Sequence, residues 1–457
     1  MSDSKYDNSD DSFEIIPDGT ITSVPEFYAS SYNCGIKKTK KDDICIIYTP
    51  LDTCCSGVFT TNKFLAAPVI VCRKQLKNTR NIKAVVVNSG IANACTGNQG
   101  YNSTLKTVDL AADYLNIKKE NILVSSTGII GKQLPMEKIE KGIRNCSKNL
   151  SSDGGHRAAG AILTTDKVKK EIAVRIKVSN TNNSDDSYYS YNNKNNKDII
   201  NSSNSGSNIN NSSSSVISSN ENNKDIIIGG IAKGSGMVAP NMATMLCFIS
   251  TNVKVSKDLL DRLLVEGVEN SFNSITIDGC QSTNDMVLIQ ANGQSSIEIK
   301  NEDSKYYDKF KNALFFVLQN LAKKMVKDGE GATKLIEINV IGAESKKDAK
   351  EIGMAIANSM LFKTAMFGED LNWGRINTAV GSTDCGTNPD KLDIYFGDVL
   401  IVKDGVGINF NNKYTDKFIK NDEIEFTVDL NAGKEKRKIW TTDLSYDYVK
   451  INSFYRT

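Results

Sequence analysis

One threonine, Thr244, stands out within residues 231–252, because the residues beside it are apolar or small. It follows a glycine-rich loop that carries Lys233 and a turn that Pro240 sets. If the Ala243–Thr244 peptide bond were cut, the free α-amine of Thr244, with a reference pKa of roughly 7.7–8.0, could act as the base for its own hydroxyl. One residue would then supply nucleophile and base for acyl transfer. Threonine is also an ordinary strand residue, and the pattern alone leaves that alternative open.

Two polar loops offer partners for such a reaction. Thr127 and Gly128 end a predicted strand, where a hydroxyl beside a backbone N–H would form the donor pair of an oxyanion hole. Glu330 lies between Gly329 and Gly331, on a turn that could bring its carboxylate to a substrate ammonium group. Each pattern is weak alone, since Thr-Gly turns are common and a loop glutamate is usually solvated.

The composition argues against several other mechanisms. The chain has one histidine, His156, at a predicted helix start, so we assign it a structural role and expect no serine–histidine–aspartate triad. Its ten cysteines form no Cys-x-x-Cys pair and no zinc-type spacing with histidine, which predicts reduced thiols and no metal or redox cofactor. A formal charge of +2 gives no reason to expect a nucleic-acid partner.

No targeting or membrane segment is recognisable. No apolar run approaches the roughly 18–20 residues that span a bilayer, and residues 1–12 are acidic and polar. The sequence therefore predicts a soluble protein without a signal peptide. The arginine-rich character of a mitochondrial transit peptide is also lacking, which favours the cytoplasm.

Strands and helices are both expected to position these groups, in a mixed α/β fold of two or three lobes. Residues 67–72 are predicted as a strand and residues 346–361 as one helix. Residues 179–223 consist mainly of Asn and Ser, so we predict a disordered insertion that cannot bury enough surface to order itself. The aromatic and polar residues of 446–457 predict a C-terminal segment that docks on the protein.

The segment 233–246, KGSGMVAPNMATML, closely resembles the self-cleavage segment of the ornithine acetyltransferase (ArgJ) family. The resemblance extends from about Cys34 to Thr457, apart from the insertion. Further segments that carry it are residues 57–62, 88–97, 125–131, 163–166, 328–334, 372–375 and 446–457. Two departures are a missing glycine before Phe27 and Cys280-Gln281 where the family usually has an acidic residue and a threonine. They put local loop geometry in doubt rather than the reaction.

The resemblance implies an α/β (α+β) fold with a layered α/β/β/α core of N-terminal-nucleophile-like architecture and a smaller C-terminal α/β lobe. It implies self-cleavage at Ala243–Thr244 into an α chain (residues 34–243, after a partly disordered segment 1–33) and a β chain (residues 244–457). The two chains are expected to stay together in a heterotetramer of two α and two β chains. A mitochondrial matrix location is implied by the resemblance alone.

Roles for nine residues follow from the same resemblance. Thr244 is the nucleophile, and Thr127 with Gly128 forms the oxyanion hole. The implied substrate contacts are Thr164, Thr165, Lys233, Thr244, Glu330, Asn452 and Thr457.

The implied activity is transfer of acetyl from N2-acetylornithine to L-glutamate through an acetyl ester of Thr244. Because both substrates share an amino-acid head, we interpret Lys233 as facing a carboxylate and Glu330 as facing an ammonium group. Some family members also take acetyl from acetyl-CoA, and the sequence leaves this open. Two alternatives stay open: a self-cleaving amidohydrolase in which water takes the acyl group, and an uncleaved, non-catalytic amino-acid-binding protein.

Overall fold

The structure, a computed structural model, describes residues 12–178, 225–239, 245–410 and 412–454. The Asn- and Ser-rich insertion, the Ala243–Thr244 bond and Thr457 lie outside the described residues, as do residues 1–11. Within the described ranges, no helix is both long enough and apolar enough to cross a membrane.

The strands, in chain order, are β1 (Glu14–Ile15), β2 (Tyr28–Tyr32), β3 (Ile44–Tyr48), β4 (Cys54–Phe59), β5 (Ala84–Ile91), β6 (Ile122–Ile129), β7 (Lys170–Ile176), β8 (Ile226–Lys233), β9 (Leu246–Thr251), β10 (Lys254–Val255), β11 (Met286–Ala291), β12 (Glu298–Ile299), β13 (Leu335–Ala343), β14 (Asp393–Phe396), β15 (Val399–Lys403), β16 (Val406–Gly407), β17 (Glu423–Asp429) and β18 (Glu435–Thr442). The helices are α1 (Ala67–Asn78), α2 (Gly97–Leu115), α3 (Met136–Lys148), α4 (Gly155–Ala161), α5 (Lys257–Glu269), α6 (Tyr307–Lys327), α7 (Lys346–Asn358), α8 (Met360–Phe367), α9 (Trp373–Gly381), α10 (Asn412–Phe418) and α11 (Tyr446–Phe454).

A six-stranded sheet of order β1-β7-β8-β9-β11-β4 forms the centre of the first lobe. Only β9 and β11 run parallel in it. Its side chains alternate between two hydrophobic cores: Ile227 and Ile231 of β8 belong to one, and Ile226 and Ile228 to the other. The sheet is therefore buried on both faces.

Different elements pack against the two faces of the central sheet. One face shares a core with α1–α4 and the four-stranded sheet of order β2-β3-β5-β6, and the other packs against α5 and α6. The layers therefore run helices, sheet, sheet, helices, which confirms the predicted mixed α/β core.

The smaller C-terminal α/β lobe is also confirmed. Its sheet has the order β16-β15-β14-β17-β13-β18 and shares a separate core with α7, α8 and α9. Three aromatic rings lie at its centre, with ring centroids 5.5 Å apart for Phe362 and Phe426 and 4.7 Å apart for Phe396 and Phe426.

The strand predicted at residues 67–72 is wrong, because α1 begins there. Pro68 occupies the first turn of the helix, where its missing N–H costs nothing. Val69, Cys72 and Leu76 are buried, and their spacing of three and four residues places them on one helical face. Residues 69–71 are of types that favour strands, and for this reason the helical spacing of the buried residues was not recognised from the sequence.

The single helix predicted at residues 346–361 is two helices, α7 and α8. The chain turns at Ser359, whose hydroxyl accepts a hydrogen bond from the Phe362 amide at 3.2 Å. The serine therefore caps the start of α8 rather than continuing α7.

One buried lysine, Lys363 of α8, predicts how stability varies with pH. Its Nζ donates hydrogen bonds to the Thr441 hydroxyl at 3.0 Å and the Thr442 carbonyl at 2.5 Å. Burial lowers the pKa of Lys363 to about 7, although Asp443 opposes the shift. Above that value the unfolded chain binds more protons than the folded chain, up to the reference pKa of about 10.4. The contribution of Lys363 to the free energy of unfolding should therefore rise with pH across this window, by at most about 1.4 kcal/mol per pH unit.

Urea unfolding at about pH 7 and about pH 8.5 is compared in the wild type and in Lys363→Met, because the cysteine thiols, with a reference pKa of about 8.5, lose protons in the unfolded state of both proteins. Between these two pH values the free energy of unfolding of the wild type should rise relative to that of Lys363→Met. A Lys363→Met variant whose stability rises as steeply as the wild type would show that another group titrates.

Candidate active site

A cavity of about 140 Å³ lies where the ends of β6 and β8 meet several loops. Seven of the nine residues with predicted roles line it: Thr127, Gly128, Thr164, Thr165, Lys233, Glu330 and Asn452. Thr244 and Thr457 lie outside the described residues, and Met245, the residue after Thr244, is buried. The fold thus gathers residues from distant parts of the chain around one cavity, while their chemical roles stay predictions.

The end of β6 brings Thr127 and Gly128 to the cavity wall. Gly128 pairs with Gly90 of the parallel strand β5 and adopts a φ of +128°. A Cβ atom there would lie 2.3 Å from the Gly90 carbonyl carbon. Only glycine allows the two strands to approach this closely. Because Gly128 has no side chain, its backbone lies open at the cavity wall.

A buried asparagine, Asn284, holds this strand end in place. Its Nδ2 donates hydrogen bonds to the carbonyls of Ser126 at 2.8 Å and Ala92 at 2.6 Å, and its Oδ1 accepts one from the Thr283 hydroxyl. No role for this polar loop was predicted from the sequence. Its position directly after the apolar residues Ile275 and Ile277 was the available signal.

Lys233 is almost fully buried at the end of β8. Its Nζ lies 3.8 Å from Asp166 Oδ2. Burial lowers the pKa of Lys233, while Asp166 opposes the shift. Burial would raise the pKa of Asp166, but Lys233, Lys170 and the Gly234 amide outweigh it and hold that pKa well below its ordinary value. Asp166 is therefore ionised at neutral pH and gives Lys233 a counter-ion beside the cavity.

Glu330 lies on the turn between α6 and β13. Its N–H donates to the Ser235 carbonyl at 2.7 Å, and its Oε2 accepts a hydrogen bond from Asn452 Nδ2 at 2.9 Å. A Cβ atom at Gly236 would lie 2.4 Å from that oxygen. Asn452 belongs to α11, so the predicted docking of the C-terminal segment is confirmed for its described part.

The two threonines after α4 complete this wall. The Thr165 and Ser235 hydroxyl oxygens lie 2.8 Å apart, and the Thr164 N–H donates to Asp166 Oδ2 at 3.1 Å. Asp166 thus organises both the threonine loop and Lys233.

Two aspartates fix the chain on either side of residues 240–244. The Asp278 carboxylate accepts hydrogen bonds from the amides of Met237 at 2.6 Å and Val238 at 3.0 Å. Burial raises the pKa of Asp278, although these amides oppose the shift. Sequence reasoning singled out neither Asp278 nor its counterpart, Asp285.

Asp285 contacts the chain next to Thr244. Its Oδ1 accepts a hydrogen bond from the Met245 amide at 2.7 Å. Burial raises its pKa well above the usual range, against the opposing effects of the Met245 amide, Lys233 and Ser282. Among the described residues, no group lies in hydrogen-bonding geometry with Oδ2. Asp285 is therefore a buried carboxyl group that binds the amide of the residue directly after the predicted nucleophile.

Among the described residues, neither His156 nor a cluster of metal-ligating side chains marks a competing site. His156 Nδ1 lies 3.0 Å from Glu171 Oε2, and His156 does not line the cavity. In the part of the chain that the structure covers, no group of three or more His, Cys, Asp or Glu side chains is arranged to hold a metal ion.

Known proteins match nearly the whole chain. The ArgJ family model matches residues 28–184 and 210–457. Arginine biosynthesis bifunctional protein ArgJ 1 of Clostridium acetobutylicum is 39% identical over 451 residues, covering 98% of this chain and 100% of the relative. Arginine biosynthesis bifunctional protein ArgJ of Caldanaerobacter subterraneus subsp. tengcongensis is 41% identical over 446 residues, covering 97% and 100%.

Two solved structures are also similar in sequence. The ArgJ protein of Bacillus halodurans is 36% identical, with 46% of this chain and 98% of that chain covered and a TM-score of 0.44. The ornithine acetyltransferase of Mycobacterium tuberculosis, solved with ornithine, is 32% identical, with 35% and 88% covered and a TM-score of 0.34. Because the family model and relatives near 40% identity extend over almost the full length, the chain belongs to the ArgJ family.

Proposed function

We propose that this chain is a glutamate N-acetyltransferase that moves acetyl from N2-acetylornithine to L-glutamate through an acetyl ester of Thr244. The observation that carries the proposal is one cavity lined by a cation, Lys233, an anion, Glu330, and the Thr127-Gly128 pair. Acyl transfer between amino acids needs charged contacts for the substrate ends and donors for an oxyanion. Membership of the ArgJ family supports this reading.

The reaction proceeds by two displacements on one threonine. The Thr244 hydroxyl attacks the acetyl carbonyl, and its α-amine takes the proton and passes it to the departing nitrogen of ornithine as the C–N bond breaks. The α-amine of glutamate, once neutral, then attacks the ester; the new C–N bond forms as the ester C–O bond breaks, and the proton of the amine passes to the released threonine oxygen. Thr127 and Gly128 stabilise the oxyanion in both steps.

Self-cleavage between Ala243 and Thr244 would free this amine. The cut falls in the connection between β8 and β9, which are antiparallel neighbours in the central sheet. Both β9 and β11 follow the cut, and β11 pairs with β9 on one side and on the other side with β4, which precedes the cut. Strands of both products therefore interleave in one sheet, which supports an α chain and a β chain that stay together. Their assembly into a heterotetramer stays a prediction.

We extend the proposal to acetyl-CoA as a second acetyl donor, because the curated relatives are named bifunctional. No cofactor enters this scheme. The relatives named above are bacterial and lend no support to a mitochondrial location, which remains an expectation from the family resemblance.

The test is acetyl transfer by the purified chain, with labelled N2-acetylornithine and glutamate followed by mass spectrometry. Labelled N-acetylglutamate with ping-pong kinetics is expected. Labelled acetate instead would favour the amidohydrolase, and no turnover would favour the binding protein. A parallel reaction with labelled acetyl-CoA tests the second donor.

Glu330→Gln should raise the Michaelis constants for both substrates, since the carboxylate would face the side-chain ammonium group of N2-acetylornithine and, before it loses its proton, the α-ammonium group of glutamate. A hydrogen bond to a charged group contributes about 1.5–3 kcal/mol, so a rise of about 10–100-fold is expected, with kcat little changed. Initial rates over a range of both substrates measure it.

Glu302→Gln is the matched control, because the Glu302 side chain is 66% exposed and away from the cavity. Unchanged Michaelis constants in Glu330→Gln would remove this residue from substrate binding.

A further inference from the structure

Four buried charges form a connected cluster behind the cavity, which we call the tetrad: Asp166, Lys170, Lys233 and Asp328. Lys170 is at its centre, with Nζ 2.6 Å from Asp166 Oδ1 and 2.5 Å from Asp328 Oδ2. The side chains of Lys170 and Asp166 are 0% exposed, and that of Asp328 is 5% exposed. Two cations and two anions make the tetrad neutral, which offsets part of the cost of burying charge.

The first arm of the tetrad leads to Lys233. Asp166 uses Oδ1 to bind both Lys170 and the Gly234 amide, at 2.6 and 2.7 Å, and keeps Oδ2 3.8 Å from Lys233 Nζ. Because Lys170 and Gly234 hold the carboxylate from two directions, the position of Asp166 is fixed. Lys233 therefore meets an immobile counter-ion.

The second arm leads to Glu330. Asp328 lies two residues earlier on the same turn, and its carboxylate accepts hydrogen bonds from the amides of Lys167 at 3.0 Å and Val168 at 3.3 Å. Lys170 binds the same oxygen of this carboxylate, Oδ2, at 2.5 Å. The turn that carries Glu330 is thereby fastened to the chain segment that begins β7.

We propose that Lys170 is a positioning residue of the acyl-transfer site, which sets Lys233 and Glu330 relative to each other by binding Asp166 and Asp328 together. Lys170 does not line the cavity and so acts only through its partners. The inference rests on the proposed function, in which Lys233 and Glu330 hold the substrate.

The tetrad also spans the proposed cut, since Lys170 precedes Thr244 and Asp328 follows it. Among the ion pairs between described residues on opposite sides of the cut, only this one is almost fully buried; the other, Arg80–Asp261, has side chains 27% and 31% exposed. After cleavage, Lys170 would be the charged link that keeps the β-chain turn aligned with the α-chain wall.

Lys170→Met tests the proposal in the whole chain. Without the cation, Asp166 keeps only Lys233 as a counter-ion, and the Asp328 turn loses its central anchor. We expect the Michaelis constants for both substrates to rise by about tenfold or more, and kcat to change by less than about threefold, because the nucleophile and oxyanion donors are untouched. Amide hydrogen exchange at residues 328–334 should also become faster.

Two further variants make the experiment decisive. Lys311→Met removes a lysine that does not line the cavity and whose Nζ lies 2.8 Å from Glu266 Oε1. This variant should leave the Michaelis constants, kcat and the exchange rates within about twofold of wild type. The double variant Lys170→Met/Asp328→Asn keeps the tetrad neutral, so it serves if Lys170→Met alone does not fold. It should still show raised Michaelis constants and faster exchange, since the link between the arms is gone.

Wild-type turnover in the same assay tests the proposed function by itself. If the wild type transfers no acetyl group, that function fails, and the exchange rates still test whether Lys170 fastens the turn. Wild-type Michaelis constants, or a turn that exchanges at the wild-type rate, in whichever Lys170 variant folds would overturn the positioning role.

Discussion

Thr244→Ala should remain a single chain of 50.1 kDa and lose acetyl transfer by at least about 10³–10⁴-fold. The substitution removes the only atom proposed to carry the acetyl group. It also removes the hydroxyl that would start self-cleavage by attacking the preceding carbonyl, so the α-amine is never freed. Intact mass under denaturing conditions, together with the transfer assay, measures both losses.

Thr244→Ser is the matched control, because serine keeps both the hydroxyl and the α-amine. It should still be cut between residues 243 and 244 and should retain part of the activity. A wild-type protein that stays uncut would remove the base from the mechanism and bring the binding-protein alternative forward. A Thr244→Ala variant that is cut would show that another group performs the cleavage.

The mixed α/β class could be predicted from the pattern of the chain itself, whereas the order of the layers was implied by the family resemblance. The α1 helix was missed because Val69, Ile70 and Val71 are strand-forming types, and the proline that permits the first helical turn was not weighed against them. Tertiary packing on one helical face outweighed the local propensity.

More of the residues that line the cavity were predicted than of the buried residues that hold them in place. The family resemblance implied the residues that line it, and the residue types themselves also indicated Thr127, Gly128 and Glu330. Nothing in the sequence indicates that the members of the tetrad are connected: Lys170 and Asp328 are 158 residues apart, and neither local sequence points to the other. Asp285 was hidden for the same reason, since its role depends on the parallel alignment of β9 and β11.

Gly128→Ala should lower kcat by about 10²–10³-fold, the usual cost of losing one oxyanion donor. The new Cβ would lie 2.3 Å from the Gly90 carbonyl carbon and 2.6 Å from the Ile91 nitrogen. Both are backbone atoms of the neighbouring strand and cannot rotate away. The end of β6 must therefore shift, and the Thr127 hydroxyl and Gly128 N–H shift with it. The Michaelis constants should change less, because these donors act mainly on charge that develops in the transition state.

Gly131→Ala separates this collision from backbone strain alone. Gly131 also has a positive φ, +78°, yet a Cβ there meets nothing within 4 Å. Both alanines incur the strain of a positive φ, about 1–2 kcal/mol in the left-handed helical region and more at the φ of +128° at Gly128, and only Gly128→Ala also drives a Cβ into the neighbouring strand. Steady-state kinetics at saturating substrate should therefore show a large loss of kcat in Gly128→Ala and less than about a threefold change in Gly131→Ala. Equal losses would mean that strain, rather than the position of the donors, limits the reaction, and the oxyanion hole would have to be sought elsewhere on the cavity wall.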